Sequence, residues 1–471
     1  MIEDDANREE FLVRLGEAQA ALDAGFTRLP SSPPPALGED AAAILREAAE
    51  RMHDNDPYGH PLYIGQMLKP PHPIARAAYA MAMSVNPNNH ALDGGRASSA
   101  MELEAVAVLA RMFGLGQHLG HLTSSGTFAN LEALWVAGQL NREQGSLRAV
   151  AASDQAHYTH TRISGVLGLP FVSIRSDSSG RMDMDALEQA LKTHALKKQD
   201  IGTVVATLGT TAVGAVDPLD RILELQARYG FRVHVDGAYG GYFILAGNLG
   251  AEARAAFDAI PRADSVVVDP HKHGLQPYGC GCILFRDPVV GRFYKHDSPF
   301  TYFTSKDLHL GQISLECSRA GASAVALWAT QRLLPCVAGG EFARGLETGR
   351  EAALLLRQKL AADARFVLPI APPALDIVFW APRGETLAES STRSQAIFDE
   401  ARRRDLYLAL ATLPARYFPP GTWPRGELAE PEGHVTCLRS VVMKPQHLAW
   451  MGEVWGRLDG AASAVEGVNT P

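Results

Sequence analysis

Two short runs of this 471-residue chain carry residue types that can do chemistry together. In Ser265-Val-Val-Val-Asp-Pro-His-Lys-His-Gly274, Lys272 follows an apolar, strand-like stretch, and in Val233-His-Val-Asp-Gly-Ala-Tyr-Gly240, Asp236 closes an earlier one. A lysine amine can bind an aldehyde, and a carboxylate can keep a pyridinium nitrogen protonated. Those are the two ends of pyridoxal phosphate, whose ring accepts the electrons of a bond being broken. The pair therefore predicts an enzyme of amino-acid chemistry. Asp236 alone is ambiguous, because acids at strand ends also cap helices. Ala238, small enough to lie under a flat ring, and the Gly240-Gly241 pair strengthen it.

A third run, His121-Leu-Thr-Ser-Ser-Gly-Thr-Phe-Ala-Asn130, places hydroxyls and a glycine before an amphipathic helix. Free backbone N–H groups and the helix dipole make such a turn an anion site, although an ordinary Ser/Thr cap reads the same way. No Walker-type Gly-Lys-Ser/Thr supports a nucleotide. His157, in Ala152-Ser-Asp-Gln-Ala-His-Tyr-Thr-His160, could stack on a ring face or be a satisfied structural histidine. Thr211, closing Ala206-Thr-Leu-Gly-Thr-Thr211, could bond a phenolic oxygen or be a plain loop threonine. His271, His273, Cys280 and Cys282 invite a metal reading. The usual finger spacings are absent and Gly279-Cys-Gly-Cys-Ile-Leu-Phe285 reads as a strand, so no metal is expected.

These residues need a frame that brings them together. Strands are predicted at Ala149–Ala152, Phe171–Ile174, Thr203–Thr207, Arg232–Asp236, Ser265–Asp269 and Cys280–Phe285, with helices such as Met184–Thr193 and Pro218–Tyr229 between them. Strands separated by helices call for an α/β fold with a mainly parallel sheet covered on both faces, where ligands gather at the strands' carboxyl ends. Upstream, a helix over Asp40–Met52 has Asp40 as N-cap and an apolar face of Ala43, Ile44, Ala48 and Met52. A second starts at Ser99, which forms a capping-box pattern with Glu102, ends near Gly114 and turns Leu103, Val106, Ala110 and Phe113 inward. Helices over Ala320–Leu334 and Glu341–Ala361 lead to a smaller unit with a strand at Ala374–Trp380, a helix at Arg393–Arg404 and a strand at Val435–Met443. The expected organisation is residues 1–70 as an N-terminal arm, including the stiff Pro30–Pro35 run, 71–340 as the large cofactor-binding domain and 341–471 as the small one.

Composition excludes several classes. Hydrophobic residues make up 46% and charged ones 20%, as in ordinary globular proteins. A formal net charge of -8 argues against a nucleic-acid surface. No apolar stretch reaches spanning length and the acidic start is unlike a leader, so no membrane partner is expected and the cytoplasm is the expected location. Five cysteines are too few and too odd in number for a disulfide framework.

Five ordered motifs, Thr-Ser-Ser-Gly-Thr-Phe-Ala-Asn, Ser-Asp-Gln-Ala-His-Tyr, Ala-Thr-Leu-Gly-Thr-Thr, His-Val-Asp-Gly-Ala-Tyr-Gly-Gly and Asp-Pro-His-Lys, resemble the group II pyridoxal-phosphate-dependent amino-acid decarboxylases. The likeness runs from about residue 60 into the C-terminal unit. It implies fold type I, with a seven-stranded, mainly parallel sheet and a small α+β C-terminal domain, in a homodimer with shared active sites. It also implies decarboxylation of an L-amino acid to an amine through a Lys272 Schiff base. Ser125, Gly126 and Thr127 would hold the phosphate with help from His271, Asp236 the ring nitrogen, Thr211 the phenolic oxygen, with His157 and Ala238 against the ring. Arg439, in Cys437-Leu-Arg-Ser440, looks like the family arginine that binds a substrate carboxylate, with an ordinary salt bridge as its alternative. In the loop after the lysine, Tyr302 is preferred over Tyr294 as the group that protonates the carbanion, and Arg319 resembles a structural or interfacial arginine. Phe128, Gly237 and Met101 depart from the pattern, the last where several aromatic decarboxylases carry threonine. The rivals are oxidative decarboxylation-deamination to an aldehyde, carbon–carbon cleavage of the phosphosphingolipid-lyase type, and a non-catalytic dimeric scaffold.

Overall fold

The computed structural model describes residues 5–30, 36–90, 92–196, 200–295, 314–425 and 433–468. Most of the proline run and Tyr302 lie outside them. Helices α1 (Asp5–Ala24), α2 (Ala41–Arg51), α3 (Pro73–Met83) and α4 (Leu92–Met112) lead into β1 (Leu119–Thr123) and α5 (Gly126–Glu143). Then β2 (Ala149–Ser153), α6 (Thr159–Leu167), β3 (Phe171–Ile174), α7 (Met184–Leu196), β4 (Ile201–Thr207), α8 (Leu219–Tyr229), β5 (Arg232–Asp236), α9 (Ala251–Asp258), β6 (Ser265–Val268) and β7 (Gly281–Phe285) alternate along the chain. The strands form one seven-stranded sheet in the order β1-β7-β6-β5-β4-β2-β3. It is parallel from β6 to β3, while β7 runs antiparallel to both β6 and β1. Strands β2, β4 and β6 are buried along their whole length, as strands covered on both faces must be. This agrees with the expected α/β architecture.

Beyond it, α10 (Gly321–Leu333) and α11 (Glu341–Ala361) precede β8 (Phe366–Val367), β9 (Ile377–Pro382), α12 (Leu387–Arg403), β10 (Ala409–Pro414), β11 (His434–Val441) and α13 (Gln446–Val468). The four strands make an antiparallel sheet in the order β10-β11-β9-β8. An early segment closes onto it: Ile64 N donates to Tyr407 O, Tyr407 N to Leu62 O and Val441 N to Ile64 O.

Three local expectations are corrected. Helix α4 begins at Leu92 and continues through a non-helical Gly95, so Ser99 caps nothing and lies buried inside it. Glu102 is drawn into tertiary bonds instead, accepting from Leu122 N at 2.9 Å, Asn89 Nδ2 at 2.6 Å and Arg319 Nη1 at 2.6 Å. This gives Arg319 the structural role expected of it, and leaves Leu103 on the solvent side. Asp40 does precede α2, but its side chain makes no cap bond. Among the described residues nothing buries the apolar face of α2: Ile44 is 62% and Leu45 64% exposed.

Candidate active site

The carboxyl ends of the parallel strands and the start of α5 enclose a cavity. Ser125, Gly126, Thr127, His157, Thr211, Asp236, Ala238, His271 and Lys272 all line it. Nine predicted site residues spread over almost 150 positions of sequence thus meet in one place.

Each is set by its element. Ser125 is the N-cap of α5, in extended conformation, and its Oγ accepts from Phe128 N at 3.3 Å. The first N–H groups of a helix have no partner within it, so with Phe128 N capped, those of Gly126 and Thr127 remain open as anion donors. A Cβ on Gly126 would come within 2.6 Å of the Asp269 carboxylate oxygens, so a glycine is required there. Asp236 ends β5 and is buried. It accepts from Ala238 N at 3.1 Å and pairs with His160 Nε2 at 2.8 Å; Asn130 Nδ2 lies 3.4 Å away. Burial alone would raise its pKa, but the His160 contact and Lys272 outweigh it and hold the carboxyl well below the usual range. Asp236 is an anion awaiting a cation.

Lys272 lies just beyond β6, its Nζ 3.0 Å from Asp269 Oδ2. Burial works against its ammonium, yet Asp269 and the more distant Asp236 win and raise its pKa. His271 Nδ1 lies 2.7 Å from Cys280 O and Nε2 3.5 Å from Asp269 Oδ2; burial lowers its pKa. His157 Nδ1 accepts from Thr159 N at 3.2 Å, and its ring stacks on Tyr158 at 4.3 Å between centroids. Burial lowers the His157 pKa as well. Thr211 faces the cavity while its carbonyl accepts from Arg439 Nη2 at 2.6 Å.

Arg439 is the expectation the geometry does not support. It does not line the cavity, and its guanidinium serves three main-chain carbonyls: Nε to Ala212 at 2.8 Å, Nη1 to Gly65 at 3.2 Å and Nη2 to Thr211. It joins β11 to the Thr211 turn and to the early segment, and pairs with no carboxylate, so neither reading from sequence describes it. Tyr294, the less favoured tyrosine, is buried against Trp135 and His121, away from the cavity. Tyr302 lies outside the described residues. Cys280 and Cys282 are buried thiols whose pKa values burial pushes up, and His273 turns to Asp376. Among the described residues no group of three or more His, Cys, Asp and Glu converges as a metal-binding set.

Three further residues shape the site, and the motifs alone assign them no role. His160 and Asn130 hold Asp236, and Asp269 holds Lys272. The signals were present: Asp269 stands three residues before Lys272, and Asn130 one helical turn after Gly126.

The donor set fits pyridoxal phosphate. Open helix N–H groups offer a phosphate site, an amine can meet an aldehyde, and a buried anion can face a protonated ring nitrogen. The buried Thr207 Oγ1 on the cavity wall and Asp269 Oδ1 have no hydrogen-bond partner.

Comparison with known proteins gives the same direction. The model of the pyridoxal-dependent decarboxylase conserved domain matches residues 53–382. An L-tyrosine decarboxylase of Enterococcus faecium is 29% identical over 385 residues, covering 62% of this chain and 63% of its own length. The chain thus spans less than two thirds of that relative. Cysteine sulfinic acid decarboxylase of Rattus norvegicus is 28% identical over 365 residues, 73% of this chain and 71% of that protein. Among solved structures, mouse CSAD superposes with a TM-score of 0.77 at 22% identity, covering 95% of this chain and 91% of that one. Oryza sativa TDC with PLP and tryptamine gives 0.78 at 18% identity, covering 98% and 99%. At such identities the superpositions establish the shared fold.

Proposed function

Because the chain belongs to the pyridoxal-dependent decarboxylase family, we propose that it removes the α-carboxylate of an L-amino acid as carbon dioxide and releases the amine, with Lys272 as the cofactor's anchor. The observation that carries this reading is the convergence on one cavity of a lysine amine, a buried carboxylate held anionic and the open N-terminus of α5. When bound, pyridoxal phosphate supplies an aldehyde for an amine and a protonated ring that accepts the electrons of the breaking bond.

This chain's residues supply the rest. Asp236, fixed by His160, keeps the proton on the ring nitrogen. The N–H groups of Gly126 and Thr127, with the Ser125 and Thr127 hydroxyls, hold the phosphate. His271 Nδ1 donates a hydrogen bond to Cys280 O, so His271 would need a second proton, at Nε2, to donate to the phosphate as well. With the cofactor bound, His157 and Ala238 would lie against its ring and Thr211 would be available to its phenolic oxygen, all three lining the cavity. Lys272 Nζ must shed a proton before it can act as a nucleophile, and Asp269 Oδ2, 3.0 Å away, holds the amine at the cavity wall. The proton for the substrate's α-carbon would come from Tyr302, which lies outside the described residues, or from Lys272 or His157, which line the cavity.

Carbon dioxide release and product identity, measured over aromatic, acidic and basic amino acids, test the reading. Those are the side-chain classes in the relatives' names, which include tyrosine, cysteine sulfinic acid and 2,4-diaminobutyrate. Lys272→Ala is expected to lose the visible absorbance of the bound cofactor and to slow turnover roughly 10³-fold or more. Retained absorbance with full turnover overturns the assignment. Aldehyde and ammonia with oxygen uptake would replace the outcome by oxidative deamination, and cleavage without carbon dioxide would replace it by a lyase.

The proposal extends to assembly and location. We propose a homodimer with shared active sites, in which the N-terminal segment embraces the partner; the bare apolar face of α2 supports it. No described helix is long and apolar enough to cross a membrane, and the cysteines are free thiols, consistent with a cytoplasmic enzyme.

A further inference from the structure

A second cavity, of about 530 Å³, shares no lining residue with the first. Its wall carries Lys69, Arg344 and Lys444, with Glu341 as its one carboxylate. Lys444 is only 3% exposed, and its Nζ donates to Tyr63 O at 2.7 Å, leaving two N–H groups uncommitted. Lys69 Nζ has no hydrogen bond or ion pair among the described residues, and the negative group that acts on it is Asp376. That carboxylate is only half engaged, since its Oδ2 makes no hydrogen bond among the described residues. Its Oδ1 accepts from Tyr239 Oη at 2.6 Å and its Oδ2 lies 3.3 Å from His273 Nε2. Burial pushes the Asp376 pKa up to about 6, which still leaves it largely an anion near neutrality. Burial lowers Lys69 to about 8 and Lys444 to about 7, the latter helped by Lys69 itself. Three basic side chains thus line a cavity with one carboxylate on its wall and Asp376 acting on Lys69 from behind it.

We propose that this cavity binds a small oxyanion, a phosphate or phosphomonoester group, held by Lys69 and Lys444. Ammonium groups are compact point charges with rotatable donors, suited to a tetrahedral anion. Leu275, Leu334, Phe342 and Leu346 line the remainder and leave room for the organic part of an ester.

The test is a titration of the cofactor-loaded protein, whose phosphate site at α5 is already filled, with inorganic phosphate and with glycerol 3-phosphate at constant ionic strength. Binding is followed calorimetrically and the cofactor by its visible absorbance. The expected result is saturable binding that leaves the absorbance unchanged and weakens roughly tenfold or more in Lys69→Met, the loss of a charged hydrogen bond. Lys69 is partly exposed, so this variant keeps its fold where Lys444→Met puts it at risk. Tighter binding of the ester assigns the site to a phosphomonoester, and equal binding to free phosphate; both support the proposal. Absence of saturable binding, unchanged affinity in Lys69→Met, or binding that displaces the cofactor overturns it. The readout needs no turnover, so it is separable from the decarboxylase reading.

Discussion

His234 is a buried neutral ring in the support of Asp236. Its ring nitrogens lie 2.8 Å from Asn130 Oδ1 and 2.9 Å from Ser265 Oγ, and Asn130 in turn reaches Asp236. Burial pushes its pKa down to about 3. As pH falls below the ordinary histidine value of about 6.5, the unfolded chain takes up a proton that the folded one refuses. Stability therefore falls with falling pH, by about 1.4 kcal/mol per unit for each such histidine, until the folded value is reached. His447, also held at about 3 by burial, adds a parallel contribution. The urea midpoint of the protein is expected to drop between about pH 6.5 and 4.5, and His234→Gln to remove one proton's worth of that slope. Equal slopes in the two proteins refute the assignment. At this scale the sequence was most readable where chemistry and spacing coincide: Lys272, Asp236, His157, Thr211 and the Ser125–Thr127 turn all reach one cavity. Arg439 was not readable, because its partners are main-chain carbonyls of Gly65, Thr211 and Ala212, which no side-chain pattern announces.

Between elements, the ends of β4 and β5 are fitted backbone to backbone. Gly240 N donates to Leu208 O at 3.0 Å, and a Cβ on Gly240 would stand 2.1 Å from that same oxygen. Gly209, opposite, sits at φ +100°, which glycine alone adopts readily. Gly240→Ala is therefore expected to push the 208–211 turn, and Thr211 with it, out of place. Overpacking of this kind costs about 1–3 kcal/mol. Thermal unfolding should come several degrees lower and cofactor affinity should fall together with it; an unchanged melting temperature would show that the turn yields freely. The apolar runs placed the six expected strands to within two residues, since strands buried on both faces leave an unbroken hydrophobic signature. Strand β1 left none, because His121 lies in it, buried against Glu132. The Ser99–Glu102 pattern misled for a related reason: its acid is claimed by Arg319, 217 residues away. Local signals lose wherever a distant partner binds a residue more strongly.

For the whole molecule, the proposed dimer predicts a use for the bare face of α2. Ile44→Asp with Leu45→Asp changes two residues that touch no core in the single chain, so each subunit should still fold. Losing two buried aliphatic side chains at an interface, at about 1.5–3 kcal/mol each, should raise the dimer's dissociation constant at least about 100-fold. Light scattering across a dilution series reads this, and equal dissociation of variant and parent places the interface elsewhere. The closure of the early segment onto the C-terminal sheet also has a consequence for biosynthesis. Gly65 is bonded by Arg439, 374 residues later. At the ribosome's pace of about 5–20 residues per second, the segment around Leu62 and Ile64 must wait roughly 20–75 s after emerging for the strand that covers it. During that interval apolar residues that end up buried stay open, so the last strand to be made is the one that closes over the early segment.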